Sequence, residues 1–234
     1  MSANCRSRKT HREVLLRQVT HIAIEGVIGV GKTTLAHLLA GRLSARLVLE
    51  EVEENPFLPF FYEEPERYAF QTQVFFLLSR YRQQETLLQQ DLFQTITISD
   101  YFFAKDAIFA HLTLSDHELK LYGKLASLLN VDVPVPDLVI YLQDSSEHLM
   151  ENIRSRGREY ERNTHFEYIQ RLNEAYNHFF FHYSDTPLLV VNITQTDFEN
   201  NPGEVDDLLH QIENPPAGTK YYIPAGADRT LEGL

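Results

Sequence analysis

The sequence contains a single cysteine, no tryptophan and only two methionines among its 234 residues. Because one cysteine cannot pair within its own chain, a disulfide framework is excluded, and so is a zinc site built from several thiolates. The cysteine, Cys5, lies in the first twenty residues. A chain with this cysteine usage is expected in a reducing compartment, the cytoplasm.

Long apolar runs are also lacking. No stretch approaches the roughly 18 apolar residues that span a bilayer, so no membrane partner is expected. Residues 1–20 are basic and have no apolar segment of the kind found in secretory signals. We interpret them as a solvated tail, with a weak anion-binding arm as the alternative.

Positive charge is scarce, with 21 lysines and arginines against 33 acidic residues and a net charge of −12. A nucleic-acid partner is therefore not expected, because such proteins usually carry a basic face. The length and the 43% hydrophobic content fit one α/β domain. An acidic protein that binds a nucleotide must concentrate its few cations locally.

Short apolar, β-branched runs alternate with longer helical patterns along the chain. This alternation predicts an α/β fold with a five-stranded parallel sheet flanked by helices. The domain is expected over residues 21–213, and residues 214–234 are either an ordered wrap or a loose tail. The predicted strands are 21–25, 47–52, 95–99, 138–142 and 188–193. The predicted helices are 32–44, 66–91, 115–129, 146–156, 166–183 and 204–212.

The strongest local motif is the glycine-rich segment 26–33, which has the spacing G-x-x-x-x-G-K-T. It follows a predicted strand and opens a predicted helix, which is the context of a phosphate-binding loop. Lys32 would contact the β and γ phosphates of ATP, and Thr33 would hold Mg²⁺. The alternative is a glycine-rich turn without a ligand. The predicted nucleotide-binding residues here are Gly26, Val27, Ile28, Gly29, Val30, Gly31, Lys32, Thr33 and Thr34.

Two acidic residues, Glu50 and Glu51, end the second predicted strand. Doubly wound sheets bind their ligands at the carboxyl ends of the strands. A carboxylate at this edge could therefore accept the proton of an attacking hydroxyl, as a kinase requires. The alternative is a solvated acidic loop, since Glu53 and Glu54 continue the run.

The long helix that follows carries Gln73 and Arg80, which are seven positions apart and therefore share one face. Phe76 lies between them on the same side. On this face, the amide could read the edge of a nucleobase, the apolar wall could pack against its ring, and the guanidinium could hold a reacting oxygen. The alternative is a helix that packs its glutamine into the core and extends its arginine to solvent.

A third cluster contains Arg154, Arg156 and Arg158 around Gly157. Guanidinium groups bind phosphate oxygens in a bidentate manner. A mobile segment of this composition could close over the transferring phosphoryl group and exclude water. The alternative is a basic helix end that is favoured by the helix dipole.

Together these motifs resemble the deoxyribonucleoside kinase family, in particular its bacterial deoxyadenosine/deoxyguanosine branch, over residues 22–198. The resemblance implies a P-loop kinase fold with an arginine-rich lid at about 154–163. It also implies ATP-dependent phosphorylation of the 5′-hydroxyl of a deoxyribonucleoside, a purine one, with Mg²⁺ as cofactor. The segments that carry it are 24–33, 50–52, 55–56, 62–67, 73, 79–80, 108–110, 156–158 and 168–172.

The resemblance also implies a role for each matching residue. The nucleoside site would be lined by side chains that read the base or hold the sugar, and the lid and a later loop would contact the donor nucleotide. The implied roles are Glu50 as general base, Arg80 beside the 5′-oxygen, Gln73, Phe76 and Phe109 at the base, Tyr62 and Glu161 at the 3′-hydroxyl, Arg156 and Arg158 in the lid, and Asp197 and Phe198 beside the donor adenine.

The chain departs from the family pattern at three positions. Asp100 stands where the family has an arginine, and Lys105 stands at an acidic, base-reading position. We interpret Asp100 as a ligand of Mg²⁺ and Lys105 as a substrate-site residue that restores the missing positive charge. Asn152 occupies the first lid-arginine position, with Arg154 as its substitute at the nucleotide. Glu50 is preferred over its neighbour as the base from the spacing to Asn55-Pro56.

The sequence is compatible with two other functions. A nucleoside monophosphate kinase, such as a thymidylate kinase, would need further basic residues to hold the acceptor phosphate. A P-loop protein without kinase activity is the second alternative, supported by the missing arginine at Asp100. The expected partner is a small nucleoside molecule, with a second copy of the chain in a possible homodimer through the helix at 66–91.

Overall fold

The computed structural model describes residues 19–88, 96–129 and 134–224. Within these ranges, six strands form one sheet. The strands are β1 (His21–Gly26), β2 (Arg46–Val48), β3 (Thr97–Ser99), β4 (Leu138–Gln143), β5 (Leu188–Asn192) and β6 (Thr219–Tyr222). The helices are α1 (Lys32–Leu43), α2 (Leu58–Glu63), α3 (Pro65–Leu88), α4 (Lys105–Thr113), α5 (Asp116–Leu129), α6 (Ser146–Arg156), α7 (Phe166–His182) and α8 (Pro202–Glu213). Single 3₁₀ turns cover Val52–Glu54 and Glu159–Glu161.

The sheet is parallel throughout, in the order β2-β3-β1-β4-β5-β6. The central strands β1 and β4 are almost continuously apolar because helices cover both faces of a sheet of this type. Ile22, Ile24, Leu138 and Ile140 are fully buried at its centre. Since every strand points the same way, all carboxyl ends meet at one edge, where the loops after β1, β2 and β3 converge.

The predicted parallel α/β fold is confirmed, but the predicted count of five strands is wrong. The sixth strand, β6, lies in the segment 214–234 and pairs with β5 at the sheet edge. Three of its four residues are exposed, so it lacks the continuous burial of the central strands. The domain boundaries stay a prediction.

Other differences are local. Helices α2 and α4 are short and were not predicted, and the strand predicted at 47–52 ends at Val48, with a 3₁₀ turn from Val52. The predicted helix end at 89–91 and the strand start at 95 lie outside the described residues. No helix in the described part of the chain is both long and apolar enough to cross a membrane.

His21, at the start of β1, makes the stability of the fold depend on pH. Its Nε2 lies 3.1 Å from Ser99 Oγ. Burial lowers the pKa of His21 from 6.5 to about 4, although the nearby Asp137 carboxylate opposes the shift. As pH falls below 6.5, the unfolded chain therefore binds a proton that the folded protein excludes, and the free energy of unfolding falls until about pH 4.

We expect the His21→Gln variant to lose this dependence. As the pH is lowered from 6.5 to 4.5, the unfolding free energy should fall more steeply for the wild type than for His21→Gln. The two slopes should differ by up to about 1.4 kcal/mol per pH unit. Urea unfolding at several pH values measures both slopes. His37→Gln, which removes an exposed histidine, is the control. Equal slopes for the wild type and His21→Gln would contradict the assignment.

Candidate active site

A cleft of about 440 Å³ opens at the carboxyl edge of the sheet. Its walls come from the loop between β1 and α1, the segment after β2, one face of α3, the segment from Asp100 into the start of α4, the end of α6 with the residues that follow it, and α7. The structure therefore brings residues from six separate parts of the sequence to one place. From the predicted sites, its lining includes Gly26, Ile28, Gly29, Lys32, Thr33, Glu50, Tyr62, Gln73, Phe76, Arg80, Asp100, Lys105, Phe109, Arg156, Arg158 and Glu161.

The loop at 26–33 has the backbone of a phosphate cradle. Gly29 has φ +89°, and a Cβ there would lie 2.7 Å from the carbonyl oxygen of Leu149, so α6 packs directly on the loop. Gly31 has φ +88° and begins α1 from the left-handed region, which favours glycine. Val27 and Val30 point into the core, so they can offer only backbone groups to a ligand.

Lys32 lies at the first position of α1, and its Nζ donates to the carbonyl oxygens of Gly26 at 2.8 Å and Val27 at 3.2 Å. Burial lowers the pKa of Lys32 to about 8, the charge of Glu25 opposes that shift and the charge of Lys105 adds to it. The ammonium group therefore lies beside the phosphate loop, among other charged side chains.

Asp100, directly after β3, connects the phosphate loop to the acceptor side. Its Oδ2 accepts a hydrogen bond from Thr33 Oγ1 at 2.5 Å, and its Oδ1 accepts one from the backbone N–H of Glu50 at 2.7 Å. Thr33 is exposed to the cleft, whereas Asp100 is buried. Two oxygen ligands thus face one another beside the position predicted for the phosphates.

Glu50 is held between two cations. Its Oε1 accepts a hydrogen bond from Arg80 Nε at 2.6 Å, and its Oε2 accepts one from Lys105 Nζ at 2.7 Å. Burial would raise the pKa of Glu50, but the charges and hydrogen bonds of these two partners outweigh it and lower the pKa to about 2. Arg80 also pairs with Asp106 on α4. Glu51 is exposed, so the two adjacent carboxylates have different surroundings.

Lys105 therefore contacts Glu50, not Asp100. No contact between the side chains of Lys105 and Asp100 is found in the described ranges, but both bind Glu50, one at its carboxylate and one at its backbone. The compensation between the two departures from the family pattern stays a prediction, with Glu50 as its physical link.

Aromatic and polar side chains line the cleft on the α3 side. Gln73 is 2% exposed, and its Oε1 has no hydrogen-bond partner among the described residues. The Arg80 guanidinium lies 4.9 Å from the centre of the Phe76 ring, on the same face of α3. Tyr62 stacks on Tyr160, with the ring centres 6.0 Å apart.

Asn55, which the sequence reading used only as a spacing marker, fixes this wall. Its buried Nδ2 donates to the carbonyl oxygen of Thr72 at 3.2 Å, and its Oδ1 accepts from the N–H of Phe57 at 3.0 Å. The turn after β2 is thereby attached to α3, one residue before Gln73. Asn55-Pro56 is thus a structural connection between the two sides of the acceptor site.

Of the three lid arginines predicted to bind the nucleotide, two line the cleft. Arg156 Nη2 donates to both carboxylate oxygens of Glu161, at 2.7 and 2.8 Å. Arg158 lies 3.5 Å from Glu53, across the cleft. Arg154 is exposed and is not part of the lining described above.

Asn152 and the loop after β5 contact the phosphate loop from outside the cleft. Asn152 Nδ2 donates to the carbonyl oxygen of Gly29 at 3.0 Å. Thr34 Oγ1 lies 3.4 Å from Glu199 Oε1, which brings the loop containing Asp197 and Phe198 beside α1. Neither Asp197 nor Phe198 lines the cleft itself.

Sequence reasoning missed two charged residues of this region, Glu25 and Asp106. Both are buried, and both contact a cation of the Glu50 group. A charged residue inside an otherwise apolar strand was the available signal for Glu25, because such a group is rarely buried without a partner. Asp106 carried no comparable signal, since an acidic residue in the first turn of a helix is common.

A parallel sheet whose first strand enters a glycine-rich phosphate loop, with a carboxylate and cations facing that loop, defines a P-loop phosphotransferase. The sequence profile of the deoxynucleoside kinase family matches residues 22–215 of this chain. The chain therefore belongs to the deoxynucleoside kinase family. The predicted family and the predicted kinase activity are confirmed: the protein uses ATP to phosphorylate the 5′-hydroxyl of a nucleoside.

Individual relatives agree with this assignment. The chain is 40% identical over 156 residues to a deoxyguanosine kinase of Bacillus subtilis (strain 168), covering 66% of this chain and 75% of that protein. It is 32% identical over 199 residues to a deoxyadenosine/deoxycytidine kinase of the same organism, covering 82% and 90%. A solved deoxyadenosine kinase of M. mycoides, with dCMP and dCDP bound, has a TM-score of 0.73 and 26% identity and covers 82% and 98%.

Proposed function

We propose that the preferred acceptor is a purine deoxyribonucleoside, phosphorylated with Mg²⁺-bound ATP. The observation that carries this is the position of Glu50 between Arg80 and Lys105, at the junction of the phosphate loop and a pocket that ends in Gln73. The purine preference is supported by the relatives, which are named deoxyguanosine and deoxyadenosine kinases. An amide with a free carbonyl oxygen can pair with the edge of either purine.

In this mechanism the loop amides and Lys32 bind the donor phosphates. Glu50 is ionised, so it can accept the proton of the 5′-hydroxyl as the oxygen attacks the γ phosphorus. Arg80 orients that carboxylate and lies beside the reacting oxygen. Arg156 and Arg158 close over the transferring phosphoryl group and stabilise its charge.

The donor set at Thr33 and Asp100 fits Mg²⁺. A hydroxyl and a carboxylate are the hard oxygen ligands that this ion binds, and the two oxygens are only 2.5 Å apart beside the phosphate loop. When bound, the ion supplies charge neutralisation at the phosphates. Asp100 also accepts a hydrogen bond from the backbone N–H of Glu50, so it can fix the position of the phosphate loop relative to the general base.

The sugar would be held by Tyr62 and Glu161. Both side chains are buried in the same wall of the cleft. Burial raises the pKa of Tyr62 well above its usual value, and the charge of Glu161 adds to that effect. Tyr62 therefore remains a hydroxyl donor, which suits a 3′-hydroxyl. Because Arg156 already binds Glu161, sugar binding and lid position are linked.

A homodimer and a cytoplasmic setting are part of the same proposal. Leu78 on α3 and Leu121 and Leu128 on α5 are large apolar side chains that are 48%, 50% and 75% exposed. Such residues on adjoining helices suit a second copy of the chain. Sedimentation equilibrium tests this, because a monomer at micromolar concentration would contradict it.

A screen of acceptors tests the proposed function. ATP and Mg²⁺ are incubated with each of the four deoxynucleosides and each 5′-monophosphate, and the products are separated by chromatography. We expect the highest kcat/KM with deoxyadenosine or deoxyguanosine and a 5′-monophosphate as product. Phosphorylation of monophosphates alone would favour the thymidylate-type alternative, and no transfer to any acceptor would favour a non-catalytic P-loop protein.

Gln73→Leu is expected to lower kcat/KM for the preferred nucleoside by about 10–100-fold, because a buried site loses its polar contact to the base. The KM for ATP should change by less than about twofold, since Gln73 lies at the opposite end of the cleft from the phosphate loop. Steady-state kinetics with each substrate varied in turn measures both values. An unchanged kcat/KM for every nucleoside would remove Gln73 from base recognition.

A further inference from the structure

Glu25 lies in β1, directly before Gly26, the first residue of the phosphate loop, and it is 0% exposed. Its Oε1 accepts hydrogen bonds from the N–H of Gly26 at 2.8 Å and from the hydroxyl of Tyr176 at 3.3 Å. Its Oε2 accepts one from the N–H of Phe102 at 2.9 Å and lies 3.8 Å from Lys105 Nζ. The carboxylate is therefore shared by four groups from three parts of the fold: the phosphate loop, the segment that leads into α4, and α7.

These contacts join the two halves of the active site. Gly26 opens the phosphate loop, whereas Phe102 belongs to the segment between β3 and α4 that carries Asp100 and Lys105. Lys105 then continues the connection, because its Nζ also donates to Glu50 at 2.7 Å. A chain of contacts thus runs from the first amide of the loop through Glu25 and Lys105 to Glu50.

Fold stability alone does not account for a carboxylate at this position. The preceding residues of β1, Ile22, Ala23 and Ile24, are buried and apolar, and an apolar side chain would continue that pattern. Burying a carboxylate is unfavourable unless charges and donors compensate it. Glu25 has such compensation, and every compensating group lies at the active-site edge of the sheet.

We propose that Glu25 is a positioning residue of phosphoryl transfer, which holds Lys105 against Glu50 and fixes the first amide of the phosphate loop. The proposal rests on the proposed function of Glu50 as general base. Glu25 does not line the cleft, so it acts through residues that do. Because Lys105 lies between the two carboxylates, Glu25 fixes where the Lys105 ammonium lies and therefore where the Glu50 carboxylate is held.

The test compares Glu25→Gln with the wild type. Glutamine keeps the size of the side chain but removes the charge and one acceptor oxygen. We expect kcat to fall by about 10–100-fold, within the range for misplaced catalytic groups, with the nucleoside KM within about threefold. A kcat per folded molecule equal to that of the wild type, with only a lowered Tm, would overturn the proposal.

Asp144→Asn is the matched control. The Asp144 side chain is also fully buried at the carboxyl end of a strand, β4, but it pairs with His148 and the N–H of Ser145. We expect it to lower the Tm while kcat stays within about threefold of the wild type. If Asp144→Asn lowers kcat as much as Glu25→Gln, the effect belongs to any buried carboxylate and the proposal fails.

A double-mutant cycle with Lys105→Met tests the route of the effect. If Glu25 acts through Lys105, the double variant should lose no more kcat than the more damaging single variant. If the fold-losses in kcat of the two single variants multiply in the double variant, Glu25 acts independently of Lys105, and the proposed route through Lys105 is overturned. If Glu25→Gln does not fold, Glu25→Asp replaces it in the test. Aspartate keeps the negative charge but has a shorter side chain. A wild-type kcat for Glu25→Asp would count against the proposal.

The proposed function is tested separately in the same experiment. The wild type and the control are assayed with the same nucleosides, so absent transfer by the wild type contradicts the proposed function. Normal transfer by the wild type and normal transfer by Glu25→Gln contradict only the positioning role.

Discussion

Lys32→Ala is expected to abolish phosphoryl transfer, with a loss in kcat/KM of about 10³-fold or more, while the fold is retained. The Lys32 side chain lines the cleft beside the phosphate loop, where it can bind the β and γ phosphates. Its only hydrogen bonds among the described residues are to two loop carbonyls, so its removal leaves no buried charge unpaired. Kinetics with ATP and thermal unfolding measure the two effects.

Lys220→Ala is the control for loss of a lysine. Lys220 is exposed on β6 and does not line the cleft. Its kcat/KM should equal that of the wild type. A Lys32→Ala enzyme with near wild-type kcat/KM would remove the phosphate loop from the mechanism, whereas a variant that fails to fold would show that Lys32 is needed to build the loop.

Glu50→Gln is expected to lower kcat by about 10²–10⁴-fold, the usual range for a positioned acid or base. The amide keeps the shape of the side chain but cannot accept the proton of the 5′-hydroxyl. Arg80 retains Asp106 and Lys105 retains Glu25, so neither cation is left without a carboxylate. The fold should therefore survive, and single-turnover kinetics with the preferred nucleoside would report the loss in the chemical step.

Glu51→Gln is the matched control, one residue away and exposed. Its kcat should stay within about threefold of the wild type. The opposite ranking of the two variants would assign the general base to Glu51. It would also mean that the Glu50 carboxylate only anchors Arg80 and Lys105.

The sequence by itself determined the features that depend on neighbouring residues. The phosphate loop is one continuous segment, and its glycine spacing, preceding strand and following helix are all readable in order. The central strands were found because burial on both faces requires continuous apolar residues. Helix α6 was predicted with its observed bounds, Ser146–Arg156, and the structure shows that both ends are marked locally: Ser145 caps its start and Gly157 ends it in the left-handed conformation.

Only the tertiary structure decided which distant residues meet. Glu50 and Glu51 are identical in type, and the packing of α3 and α4 against the end of β2 is what pairs Glu50 with Arg80 and Lys105. The role of Glu25 is equally non-local, since its partners come from residues 26, 102, 105 and 176. Strand β6 escaped detection for a related reason: backbone hydrogen bonds to β5 hold it in the sheet, and such bonds form with almost any side chains.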